Sequence, residues 1–259
     1  MDNKQFLNNT LDKLSQKEIK ALKVKELDCL VDISSSPILS KCIQTVLKEL
    51  KNARIPYTPH FWVSDEWHSP DGIPGVGVPF VLLHPRLIKL ERESLGHCEG
   101  ESEKECLKLL RHEIGHALDN AYHLRKNSKR QKLFGTSSTT YPSWYRPIKY
   151  SKQYINHLAD NYAQAHPDED WAETFAVWLD PKSNWKNRNY PKKVREKLLL
   201  VDEIMTSLKN KKAKNTKRAE KYHIKNMNIS LRNYFINKQK DNNTFNIIDD
   251  MMMYYIKYE

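Results

Sequence analysis

The pentapeptide His112-Glu113-Ile114-Gly115-His116 carries the residue types and spacing best suited to chemistry in this chain. On a helix, a four-residue interval stacks two imidazoles on one face, one turn apart, where both can approach a single ion. The intervening glutamate lies beside them. An ion held in this way polarises a carbonyl and acidifies a water molecule, and an adjacent carboxylate can take the water proton. At this chain's residue frequencies the pattern arises by chance about once in forty chains of this length, so it is specific enough to guide the rest of the reading.

A catalytic zinc requires a third protein ligand and an open position. A third histidine six residues after the second would need Gly at position 119 and His at position 122, where the chain has Asp119 and Tyr122. The alternative is a carboxylate from another helix. Glu169-Asp170-Trp171-Ala172-Glu173 offers two glutamates one turn apart. Ala172 and Ala176 lie near that face and let the second helix approach the first closely, opposite Gly115. Two nitrogens and one carboxylate suit zinc better than magnesium, so one zinc per chain is the expected cofactor. A structural site closes with four protein ligands. His123, His157 and His166 are open as a fourth, although none has convincing spacing.

These residues need elements to hold them. Apolar residues at Leu110, Ile114, Ala117, Leu118 and Ala121 predict a helix from Ser102 to about Leu124, with Ser102 and Glu105 forming a capping box. His166-Pro167-Asp168 marks the start of the second helix, which runs to about Leu179 before Pro181. A further amphipathic helix covers Lys193 to Leu208. Upstream, His60 to Ser64 and Val78 to Leu83 read as short strands around a loop with Asp71-Gly72 and Pro74-Gly75. Pro79 argues for a sheet edge along Gly77 to Leu83, where an extended peptide could add as a strand. Residues 2–51 suggest short helices, on Leu7, Leu11 and Leu14 and on Ile43, Val46, Leu47 and Leu50, joined through Ser34-Ser35-Ser36-Pro37. Trp62, Trp67, Phe80, Trp171, Phe175 and Trp178 are candidate core residues. The fold class expected is α+β and mainly helical, with a small edge-exposed sheet, an active-site helix and a third-ligand helix. No internal repeat is visible.

HEIGHALDNAY, followed by NYAQAHPDEDWAETFAVWL, resembles the bacterial zinc-binding metallopeptidases. The likeness extends over FWVSDEWHSPDGIPGVGVPFVLLHPRL and the KLLLVDEIM helix, from about Ile55 to Leu208. A more distant resemblance is to the anthrax lethal-factor-like peptidases, through H-E-x-G-H-A-x-D and E-x-x-A-E. The resemblance implies a zincin-like domain of the gluzincin type, in which His112, His116 and Glu169 hold zinc and Glu113 is the catalytic base. It also implies that Tyr162, seven residues before Glu169, assists catalysis, here as a donor to the oxyanion. Glu173 is then expected to accept a hydrogen bond from one ligand imidazole and Asp119 to serve the other. The activity implied is a zinc metalloendopeptidase acting on a peptide or protein substrate. Many family members resemble a fusion to an N-terminal cysteine-rich zinc ribbon, and this chain lacks those cysteine pairs.

Composition sets the outer limits. In 259 residues, 39% are hydrophobic and 29% charged, enough for one sizeable core under a solvated surface. The expected division is a helical extension at 1–52, the peptidase domain at 53–208, and a basic, partly disordered extension at 209–259. The formal charge of +11 comes partly from Lys209, Lys211, Lys212, Lys214, Lys217, Arg218 and Lys221, a stretch suited to weak binding of an anionic surface. Cys29, Cys42, Cys98 and Cys106 form no C-x-x-C pair and are expected to be reduced and partly buried. No apolar run suggests a signal peptide or a membrane span, so a cytoplasmic protein is the default, with signal-independent export left open. Two rival classes are an inactive zinc-binding adaptor or regulator on a peptidase scaffold, and a nucleic-acid or membrane-surface protein with a structural metal. Retention of Glu113 argues against the first, because holding zinc does not require a base.

Overall fold

The computed structural model describes residues 10–142 and 145–241. Its helices include α1 (Gln16–Ala21), α2 (Pro37–Asn52), α3 (Pro85–Leu95), α4 (Glu103–Tyr122), α5 (Ser128–Phe134), α6 (Pro167–Leu179) and α7 (Lys192–Leu208). Two strands, β1 (His60–Ser64) and β2 (Gly75–Pro79), form a small parallel sheet in the register His60 to Gly75 through Ser64 to Pro79. The chain is therefore mainly helical with a minor sheet, the class its sequence predicts.

At the centre lies α4. Ser102 accepts the Glu105 backbone N–H at its start, as the sequence suggests. His123 ends it in the left-handed region at φ 56°, a role more often given to glycine. On this buried helix Arg111 makes two hydrogen bonds to Glu49 on α2, at 2.9 and 2.7 Å. Helix α6 has Pro167 at its first turn and His166 as N-cap, whose Nδ1 accepts the Asp168 N–H. The two helices meet at Gly115. A Cβ there would lie 3.1 Å from both Ala172 Cα and Phe175 Cδ1, so only glycine allows this approach without displacement. Trp171 Nε1 donates across the crossing to the Gly115 carbonyl at 3.2 Å.

The second strand differs from expectation. It occupies Gly75–Pro79 rather than Val78–Leu83, and Phe80–Leu83 form a 3-10 turn. Pro79 has no N–H to continue the ladder, and the apolar run after it is buried on all sides. The supposed open edge along Gly77 to Leu83 is also corrected: the run is buried, and Gly77 already exchanges backbone hydrogen bonds with His68. At Gly75 and Gly77 a Cβ would sit 2.3 Å from the His60 ring and 2.7 Å from the His68 ring, so a larger residue would have to displace these imidazoles.

Packing does not break near residues 52 and 208. One buried cluster includes Leu11, Ile19, Val46 and Leu50 from the N-terminal part and Ile224, Leu231, Tyr234 and Phe235 from the C-terminal part. Backbone bonds Val24 to Ile229 and Leu231 to Leu22 join the two ends, and Lys214 and Asn215 both donate to the Ala121 carbonyl at the end of α4. Residues 209–241 are thus part of the folded body, because their apolar residues complete its core. Leu7 and the apolar clusters after residue 241 lie outside the described residues.

Trp62, Phe80, Trp171 and Phe175 are buried in the core, and Trp67 and Trp178 pack partly against it, Trp67 also lining a cavity beside α4. Cys42, Cys98 and Cys106 are buried and Cys29 is exposed, all four as free thiols. Among the described residues no helix is long and apolar enough to cross a membrane.

Candidate metal centre and cleft

Three ligand atoms converge where α4 and α6 cross. His112 Nε2 lies 3.1 Å from His116 Nε2 and 3.1 Å from Glu169 Oε2, and the His116 Nε2 to Glu169 Oε2 distance is 3.2 Å. Zinc with ligand bonds of about 2.0–2.1 Å in a tetrahedron separates its ligand atoms by about 3.3 Å, close to this triangle. His112 and Glu169 are buried, while the His116 side chain keeps 12% of its surface open. The donor set of two imidazoles and one carboxylate therefore fits a zinc ion with one side left open.

Surrounding groups fix this triangle. His112 Nδ1 donates to Glu173 Oε1 at 2.9 Å, leaving Nε2 free to offer its lone pair. The backbone N–H groups of His157 and Leu158 hold the other Glu173 oxygen at 3.2 and 2.8 Å. Glu169 Oε1 accepts the Tyr141 hydroxyl at 2.8 Å. The local field is strongly negative. Burial opposes protonation of His112, yet the Glu169 and Glu173 carboxylates outweigh it and push the imidazole up to about 10. Burial likewise opposes the charge on Glu169, but the two imidazoles hold its carboxyl well below the usual range. A site that attracts positive charge this strongly is suited to a dication.

A cavity of about 410 Å³ opens beside the triangle. Glu113, Tyr141, Tyr145, Tyr162, Trp67 and Glu99 contribute to its wall. Glu113 is 8% exposed, and among the described residues no hydrogen bond or ion pair occupies its carboxylate. Tyr162, 37% exposed, lies with its ring 5.8 Å from that of His112. Burial and the nearby carboxylates Glu169 and Glu113 raise its phenol above the ordinary range, so its hydroxyl stays protonated.

The structure brings together His112, Glu113, His116, Tyr162, Glu169 and Glu173, but it takes Asp119 elsewhere. Expected beside the second imidazole, Asp119 instead accepts the Arg125 backbone N–H at 2.7 Å and pairs with Arg130 at 3.0 Å. Helical spacing places Asp119 near the histidine face, but the buried Arg130 guanidinium and the Arg125 N–H engage its carboxylate instead of an imidazole. That guanidinium also binds Asp168 at 2.7 Å, so it joins the residue after the second histidine's turn to the residue before Glu169. Of the other histidines, His157 bonds to the Lys108 carbonyl, His166 caps α6 and bonds to the Thr139 carbonyl, and His123 ends α4. Among the described residues the one group of histidines and carboxylates that could hold a metal ion is His112, His116 and Glu169.

Tyr141 and Arg130 are the residues that sequence reasoning missed. Tyr141 stands in a proline-marked loop with no periodicity to fix its direction. Arg130 reads as one more cation in a basic stretch.

Two histidines and a glutamate presented by crossing helices beside a cavity-lining glutamate define a metallopeptidase type of centre. Residues 89–241, more than half of the chain, match the family described as "Putative zinc-binding metallo-peptidase", and the chain belongs to that family. The match begins within α3 and runs beyond α7, so it includes residues 209–241 of the expected extension at 209–259. Searches of curated proteins and of solved structures gave no match.

Proposed function

We propose that this protein is a zinc endopeptidase in which His112, His116 and Glu169 hold one zinc ion, Glu113 is the general base and Tyr162 is a donor to the oxyanion. The observation that carries this reading is the triangle of ligand atoms 3.1–3.2 Å apart, opening on the cavity that Glu113 and Tyr162 also line. Zinc in such a site supplies a Lewis acid that polarises a substrate carbonyl and acidifies water.

The residues of the chain supply the rest. Glu113, in the wall of the cavity, accepts a proton from the attacking water and returns it to the leaving amine. Tyr162, protonated and facing the same space, donates to the oxygen on which negative charge develops. Glu173 keeps His112 in the tautomer that presents Nε2, through the bond to Nδ1. Retention of a base in the cavity favours an enzyme over an inactive zinc-binding adaptor, which needs no such group.

Replacement of the base separates chemistry from metal holding. Glu113→Gln preserves size and is expected to bind zinc and unfold like the parent, while hydrolysis of a peptide from a diverse library falls by about two to four powers of ten. Tyr162→Phe is expected to keep zinc and lose roughly two to three powers of ten. Equal cleavage by Glu113→Gln and the parent rejects this mechanism.

A further inference from the structure

The geometry points to Tyr141 as a positioning residue that holds Glu169 to the metal through one oxygen and keeps the open side of the site free. This inference rests on the metal-centre reading above and deepens it. Glu169 has two oxygens with different partners. Oε2 faces both imidazoles, at 3.1 and 3.2 Å, whereas Oε1 accepts the Tyr141 hydroxyl at 2.8 Å. A carboxylate with one oxygen engaged in this way presents a single oxygen to an ion. Without the phenol, Oε1 is free to turn towards the ion as well, and two-oxygen binding would take a position that water and substrate need.

Tyr141 is itself held in place. Its ring stacks on His166, with centroids 3.6 Å apart and planes 12° from parallel. His166 is the N-cap of α6, three residues before Glu169, and its Nε2 bonds to the Thr139 carbonyl in the loop that carries Tyr141. The same histidine thus anchors the helix that presents the ligand and the loop that presents the phenol. The hydroxyl reaches Glu169 because both are registered to His166. This arrangement also separates ring from hydroxyl: Tyr141→Phe keeps the stack and removes only the donor.

The test measures metal binding rather than turnover. Zinc affinity of the full chain is determined by competition with a chromogenic chelator for the parent, Tyr141→Phe and His112→Ala, with thermal unfolding of each metal-free protein as a check on folding. Expected are parental unfolding for Tyr141→Phe and a zinc affinity reduced by about 10–100-fold, the usual effect of losing a group that orients a metal ligand. In the cobalt-substituted proteins, visible d–d absorption is expected to weaken in Tyr141→Phe, since four-coordinate cobalt absorbs more strongly than cobalt of higher coordination number. Parental affinity together with a parental cobalt spectrum in Tyr141→Phe would overturn the proposal while leaving the metal centre intact. If the parent takes up no zinc, or His112→Ala binds it as the parent does, the metal-centre reading fails first and this inference falls with it.

Discussion

Glu169 and Glu173 are the same residue type on the same face of one helix, and their partners make them different. Glu169 meets two imidazole Nε2 atoms, while Glu173 meets His112 Nδ1 and two backbone N–H groups. The first is placed to touch an ion, and the second can act only through a ring. Glu173→Gln is therefore expected to lower zinc affinity by about 10–100-fold. Glu169→Gln removes the charge of a direct ligand and is expected to lower it further, beyond about a hundredfold. Equilibrium dialysis against a zinc buffer distinguishes the two variants, and the opposite order would exchange their roles. The pair also illustrates what periodicity cannot resolve, because one turn of helix gives both carboxylates the same direction.

The approach of α4 and α6 decides whether their side chains can share an ion. Glycine inside a helix costs about 1 kcal/mol relative to alanine. At Gly115 that cost is offset by contact, for a Cβ would meet the Ala172 backbone and the Phe175 ring at 3.1 Å. Gly115→Ala gains helix propensity but overpacks the crossing, an effect of roughly 1–3 kcal/mol. The expected net result in urea denaturation is a loss of up to about 2 kcal/mol, with zinc binding weakened as the helices part. A gain of about 1 kcal/mol would show that the crossing has slack. Next to the crossing, Arg130 is 1% exposed and pairs with Asp119 and Asp168, one from each side of the ligand set. Arg125 lies near the same two carboxylates, at 3.5 and 3.9 Å, so two cations balance two buried anions.

The whole chain is more unified than its composition suggests. The lysine-rich stretch after Leu208 bonds to the C-terminal end of α4, and the segment beyond it inserts Ile224, Leu231, Tyr234 and Phe235 into the same core as the N-terminal Leu11 and Ile19. Each such side chain stabilises by roughly 1.5–3 kcal/mol when buried. Four of them together rival the total stability of a typical domain, about 5–15 kcal/mol. Truncation after Leu208 is accordingly expected to give an insoluble or partly unfolded product, judged by circular dichroism and gel filtration. A truncated chain that melts cooperatively near the parental temperature would return residues 209–241 to the status of an appendage.

His112, Glu113, His116 and the two candidate glutamates are legible without a structure because helical periodicity is local: four-residue spacing fixes a shared face whatever the rest of the chain does. Ser102, His166 and Pro167 mark helix starts for the same reason, since capping is completed within a turn. Contacts between distant segments are not local, and sequence alone left them undecided or misplaced them. Asp119 turned from the expected imidazole to Arg130, Val78 to Leu83 divided at Pro79 into strand and 3-10 turn, and Tyr141 reached Glu169 from a loop without periodicity. Each of these depends on which buried group lies opposite, and only tertiary packing supplies that group.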